Sequence, residues 1–283
     1  MEQKVAVMIL HGMGSQKEDF ADSFADSLKE MFGKVTGGNP SANTSLAIEP
    51  VHWADVFEGR EQRLYDSLAP YKLNYNLLRR FVIHYLADAI AYQPVETQGQ
   101  NYDAVHDTIS QALNRLSSKA GPAAPLCVIS HSLGTIIASN YFYDLQYPSS
   151  RQPGIINPSS PLENGHTLTL FYSFGTTLPL WSLRYQDFDK PIHVPCQHAK
   201  KYYPGLEGEW VNYYDKDDIL GYPLRIVDPA YENCVKEDIE INVGNWLTSW
   251  NPFCHNGYFT SETIIRRIAE NLARTWSYVN RVG

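Results

Sequence analysis

Apolar residues along this chain follow two periodicities that alternate from one end to the other. Runs in which most positions are apolar occupy Val5 to Leu10, Leu46 to Trp53, Leu126 to Ile129, Thr167 to Phe174 and Glu209 to Tyr214. Runs this short and this continuous predict strands of a buried parallel sheet. Between them the apolar positions recur every three or four residues, from about Lys17 to Met31 and from Tyr102 to Lys119, and again after Ser132. A last such segment, about Ser261 to Tyr278, sets Ile264, Ile265, Ile268, Leu272 and Trp276 on one face. One more short strand is expected within Ile239 to Val243. Strands alternating with helices predict an α/β fold, a mostly parallel central sheet with helices on both faces, in one domain over residues 1–283.

Three stretches interrupt the alternation. At about 58–100 an insertion carries apolar residues at 73, 77, 78, 81, 82, 85, 86, 89 and 90, one sustained helical stripe. It reads as a cap or lid helix over a site, or as a plain core helix. Tyr147 to Gly165, rich in Pro, Ser, Asn and Gly, is expected to be a long surface loop, and residues 176–208 are irregular and aromatic.

Composition narrows the function. Of 283 residues, 43% are hydrophobic and 19% charged, and the net charge is −8. An acidic chain of this kind is a poor partner for nucleic acid, which needs clustered Lys and Arg. No apolar run approaches the ~20 residues of a membrane span, and Val5 to Leu10 is too short for a signal-peptide core, so the cytoplasm is the expected compartment. The four cysteines, Cys127, Cys196, Cys234 and Cys254, form no CxxC pair and read as free thiols. His193, Cys196 and His198 have a spacing that could ligate zinc, but no second cluster accompanies them, and no metal is expected. Neither GxxxxGK[ST] nor GxGxxG is present, which argues against a nucleotide loop.

The chemistry centres on Ser130-His131-Ser132-Leu133-Gly134, set between an apolar strand and a helical segment. That is the setting of a nucleophile elbow, a sharp turn that exposes a serine above the sheet. The alternative is an ordinary helix start with Ser130 or Ser132 as N-cap. Strand and helix approach closely at an elbow, so its flanking positions must be small. Gly134 fits, whereas Ser130 stands where the pattern has glycine. A serine nucleophile needs a base, and the base an orienting carboxylate, in the chain order Ser, Asp or Glu, His. Ser132, an aspartate of the 215–218 cluster and His255 satisfy that order, and the final helix follows His255. Among the aspartates, Asp215 ends the strand while Asp218 lies further into the loop, which favours Asp218 as the acid and leaves Asp215 as its rival. The oxyanion needs two backbone donors. The amide of Leu133 is one, and the amide of Met13, in His11-Gly12-Met13-Gly14, is the other. His52 has a site-like neighbourhood, although a lone histidine is more often structural.

These motifs resemble those of α/β-hydrolase serine esterases and lipases, over most of the chain. Val-Met-Ile-Leu-His-Gly-Met-Gly-Ser-Gln, from Val7, is similar to the oxyanion turn of lipases that lack the first two strands of the full fold. Asn212 to Tyr222 resembles the acid loop of DDHD-type phospholipases, N-x-Y running into H-P-x-D-P-V-A-Y, whose final aspartate falls on Asp218. The chain lacks that HP and the proline after the acid. The resemblance implies an α/β-hydrolase fold and hydrolysis of a small-molecule or lipid ester with an apolar part through an acyl-enzyme, without a cofactor. Thioester or amide hydrolysis, acyl transfer on the same triad, and an inactive binding protein of this fold are the alternatives.

Overall fold

A computed structural model describes residues 2–12, 19–38, 42–75, 79, 88–93, 101–147, 152–243 and 252–281. Six strands form its sheet: β1 (Val5–Leu10), β2 (Leu46–Val51), β3 (Leu126–His131), β4 (Leu168–Phe174), β5 (Glu209–Tyr214) and β6 (Glu237–Glu240). They lie in the order β2-β1-β3-β4-β5-β6, every neighbouring pair parallel. All residues of β1, β3 and β4 are buried, because helices cover both faces of a parallel sheet. The edges differ in composition. β2 holds Pro50 and β6 reads Glu-Asp-Ile-Glu with no buried residue, and proline and charge are what edge strands tolerate.

The longer helices are α1 (Asp22–Val35), α2 (Asp55–Leu68), α3 (Asn101–Ala120), α4 (Leu133–Gln146) and α5 (Glu262–Arg281). Strand side chains alternate between two cores. Val5, Val7 and Ile9 of β1 pack with Phe24, Leu28 and Phe32 of α1 and Ile264, Ile268 and Leu272 of α5. Ala6, Met8 and Leu10 face the other way, toward Val105, Ile109 and Leu113 of α3 and Ile136, Ile137 and Tyr141 of α4. The helix after β1 therefore covers one face and the helix after β3 the other. That reversal between adjacent strands is a topological switch point, where the following loops part and leave a crevice at the carboxyl edge of the sheet. This is the expected parallel central sheet with helices on both faces, and no strand precedes β1 among the described residues.

Several boundaries depart from the sequence reading. The final strand is Glu237–Glu240, not Ile239 to Val243, since pairing to β5 from Val211↔Glu237 to Tyr214↔Glu240 sets its register. Helix α1 starts at Asp22, later than Lys17. Helix α2 was not foreseen: its sequence is mostly polar and gives no helical stripe. Most of the stripe from Leu73 to Ile90 lies outside the described residues. The loop before β4 is exposed over most of 152–159, as expected of a surface loop, and turns inward after it. Ser160, Leu162 and Glu163 are buried, Ser160 Oγ lies 2.9 Å from Ser117 Oγ of α3, and Glu163 accepts the amide of Asn157 at 2.9 Å.

Candidate active site

The turn after β3 is built by close approach. Ser132 has φ 54° and ψ −127°, the left-handed half of backbone space, which a non-glycine residue occupies at a cost of about 1–3 kcal/mol. Its amide donates to the Phe174 carbonyl at 3.0 Å, tying the turn to the end of β4. Its hydroxyl makes no capping bond to α4, and an N-cap residue normally has extended backbone angles; the plain helix-start reading fails on both counts. A Cβ on Gly134 would fall 2.2 Å from the carbonyl oxygen of His11, and one on Gly12 would fall 2.8 Å from Ser132 Cβ. The end of β1 thus passes so near the start of α4 that both positions require glycine. Ser130 fits although glycine was expected: its hydroxyl donates to the Tyr172 carbonyl at 3.3 Å and accepts from Thr135 Oγ1 at 3.1 Å.

The loops after β5 and β6 meet beside this turn. His255 Nδ1 lies 2.8 and 3.0 Å from the two carboxylate oxygens of Asp218, with both residues buried. Asp218 also accepts from the Leu220 amide at 3.0 Å and the Tyr258 hydroxyl at 2.8 Å. Burial pushes its carboxyl up, but the hydrogen bond and charge of His255, with the Leu220 and Tyr258 donors, outweigh burial and hold it below the usual carboxylate range. Asp215 is turned elsewhere. Its oxygens accept the amides of Asp217 at 2.9 Å and Val243 at 2.6 Å, bracing the loop. Of the two rival aspartates, only Asp218 faces the imidazole.

His255 Nε2 and Ser132 Oγ are both buried, and neither has a hydrogen-bond partner among the described residues. No hydrogen bond joins the serine hydroxyl to the ring nitrogen. The histidine next to the serine links the two loops: His131 Nε2 donates to the His255 carbonyl at 2.7 Å, and the two rings lie 4.6 Å apart. Burial and the neighbouring His255 hold His131 well below the usual histidine value.

Leu133 is the first residue of α4, where helical amides lack intrahelical partners and face anions. Met13 lies outside the described residues. Just before it, His11 is buried and stacks on Trp53 at 4.8 Å, while the Trp53 indole N–H donates to the His11 carbonyl at 2.9 Å. Burial pushes the His11 imidazole down to about 3. His52 lies at the edge of this group, its ring 5.8 Å from that of His11 and 5.0 Å from Phe20.

Sequence reasoning missed Tyr258 and His131. Both stand inside motifs already singled out, Tyr258 three residues after His255 and His131 just before Ser132. Of the residues with zinc-like spacing, Cys196 Sγ lies 4.0 Å from His198 Nδ1, His193 Nε2 lies 3.1 Å from the Tyr147 hydroxyl, and the His198 ring stacks on His166. Among the described residues no group of three His, Cys, Asp or Glu is disposed to hold a metal, and none of their helices is long and apolar enough to cross a membrane. Cys127, Cys196, Cys234 and Cys254 are free thiols.

No family model and no curated protein matches the chain. Among solved structures it is similar to one of the metagenome-derived lipolytic enzymes LipS and LipT, at 11% identity over 96% of this chain and 95% of that one, with a TM-score of 0.43. It is also similar to an esterase from Pyrobaculum calidifontis, at 10% identity over 96% of this chain and 77% of that one, with a TM-score of 0.44. A third is Est1E from Butyrivibrio proteoclasticus, at 7% identity over 98% and 90% of the two chains, with a TM-score of 0.40.

Proposed function

We propose that this chain is a serine hydrolase that cleaves carboxylic esters with an apolar acyl or alkyl part through an acyl-enzyme. One observation carries the reading: a serine hydroxyl on a left-handed turn and an imidazole nitrogen are buried without partners, while the same imidazole's other nitrogen is held by a carboxylate. Unpaired buried polar atoms are costly. Two together beside a histidine–carboxylate pair suit groups that await a substrate.

In this mechanism Ser132 Oγ attacks the ester carbonyl carbon while His255 Nε2 takes its proton. The carbonyl electrons move to oxygen, which the amides of Leu133 and Met13 stabilise. The intermediate then expels the alkoxide, which leaves with the proton from His255. Water, deprotonated by the same nitrogen, releases the acid and restores Ser132. Asp218 keeps the Nδ1 tautomer and balances the imidazolium charge. Exposed Leu180, Leu183 and Ile219, in the segments that follow β4 and β5, suit an apolar substrate, and residues 58–100 would cap it.

A fluorophosphonate probe tests the assignment. The wild type should be labelled, and Ser132→Ala should lose all labelling with an unchanged circular dichroism spectrum. Labelling that persists in Ser132→Ala would refute the assignment. A panel of p-nitrophenyl esters, phospholipids and acyl-CoA thioesters then separates the substrates that share an acyl-enzyme.

A further inference from the structure

The phenol of Tyr258 sits where three loops close. Its hydroxyl donates to Asp218 Oδ2 at 2.8 Å and accepts the amide of Asp215 at 3.0 Å, so it bonds two residues of the loop after β5 from the loop after β6. The residue is completely buried. Its space is made by missing side chains. A Cβ on Gly175, after β4, would fall 2.8 Å from Tyr258 Cε2, and one on Gly221 would fall 2.9 Å from the hydroxyl and 2.6 Å from Asp218 Oδ2. A core tyrosine needs a partner for its hydroxyl, but any carbonyl would serve. This one goes to the very carboxylate oxygen that lies 2.8 Å from His255 Nδ1.

We propose that Tyr258 is the positioning residue of the acid–base pair, its hydroxyl fixing the Asp218 carboxylate against His255 Nδ1. The inference rests on the hydrolase reading above. Asp218 Oδ1 is pinned by the Leu220 amide. Oδ2 has His255 and Tyr258 as its donors, and without the phenol the carboxylate can pivot about the Leu220 bond and tilt the imidazole away from Ser132. The hydroxyl also draws off part of the charge on Oδ2, so it sets how strongly that oxygen holds the Nδ1 proton. Such a residue acts on the proton relay and leaves substrate binding alone.

The test compares wild type, Tyr258→Phe, Asp218→Asn and the double variant in p-nitrophenyl butyrate hydrolysis, and reads the low-field Nδ1 proton resonance of His255. Tyr258→Phe keeps the ring and should lower kcat about tenfold, equivalent to about 1.4 kcal/mol, with KM within about twofold. In the Asp218→Asn background the same change should cost nothing further, since its route is gone. An equal loss in both backgrounds, or an unchanged kcat, overturns the proposal. Should Tyr258→Phe fail to fold, 3-fluorotyrosine in place of Tyr258 keeps the ring and its bonds while strengthening the donor. It should then move the His255 resonance upfield, and an unmoved resonance overturns the proposal as well. Equal hydrolysis by wild type and Ser132→Ala would sink the hydrolase reading alone, because the resonance is read without turnover.

Discussion

Strand β5 has a buried carboxylate at each end, and the two are used in opposite ways. Glu209, its first residue, lies at the amino edge of the sheet. It accepts from the Tyr172 hydroxyl at 2.9 Å, Lys236 Nζ at 2.9 Å, the Arg267 guanidinium at 3.0 Å and the Asn271 amide at 2.6 Å. Asp218, beyond the carboxyl end, holds a histidine whose second nitrogen has no hydrogen-bond partner among the described residues. Burial pushes both carboxyls up and their donors pull both below the usual range, so the direction of the shift does not tell them apart. What tells them apart is where the bonding ends. Around Glu209 the donors converge on the carboxylate and tie β4, β5 and α5 together. Around Asp218 the chain of bonds stops at a single ring nitrogen, His255 Nε2, with capacity to spare.

The contrast can be broken most directly by exchanging each carboxylate for its amide. Asp218→Asn should lower kcat roughly 10⁴-fold, as a wrongly held imidazole tautomer does in serine triads, and cost less stability than the exchange at Glu209. Glu209→Gln should lose about 2–3 kcal/mol of stability in urea unfolding while kcat per folded molecule stays within a few-fold. A larger stability loss from the first than from the second, or a 10⁴-fold rate loss from the second, would erase the distinction.

Acid sharpens it further. Both carboxylates contribute stability above the ordinary carboxylate range, and that stability is lost as pH falls through their lowered folded values. The carboxyl edge carries a second, earlier sensitivity. His11 is neutral in the folded protein down to about 3, whereas an unfolded histidine takes up a proton near 6.5. Stability is therefore full above that value and declines as pH falls below it. His11 alone should remove about 2 kcal/mol between pH 6.5 and 5, and buried His131 acts in the same direction. Urea unfolding at pH 7 and pH 5 measures this, and equal stability at both would mean that His11 is charged when folded. The smallest expected effect belongs to Ser130→Gly. It removes two hydrogen bonds at the elbow and should cost about 1 kcal/mol in the same assay, with esterase activity retained.

Much of this arrangement is written locally. Continuous apolar runs specify β1, β3 and β4, because a strand buried on both faces needs no help from the rest of the chain to be recognised. The elbow at Ser132 is local too, since a small residue at Gly134 and a strand before it suffice to suggest the turn. Partner choice is not local. Whether Asp215 or Asp218 faces His255 depends on where the amides of Asp217 and Val243 capture the first of them, and a run of four residues with three aspartates holds no trace of that. Tyr258 looks like any core aromatic until the glycines of two other loops leave room for it. The polar helix α2 and the packed turns around Glu163 escaped for the same reason. Hydrophobic period is a property of neighbours in the chain, whereas hydrogen bonds between loops belong to residues that only folding brings together.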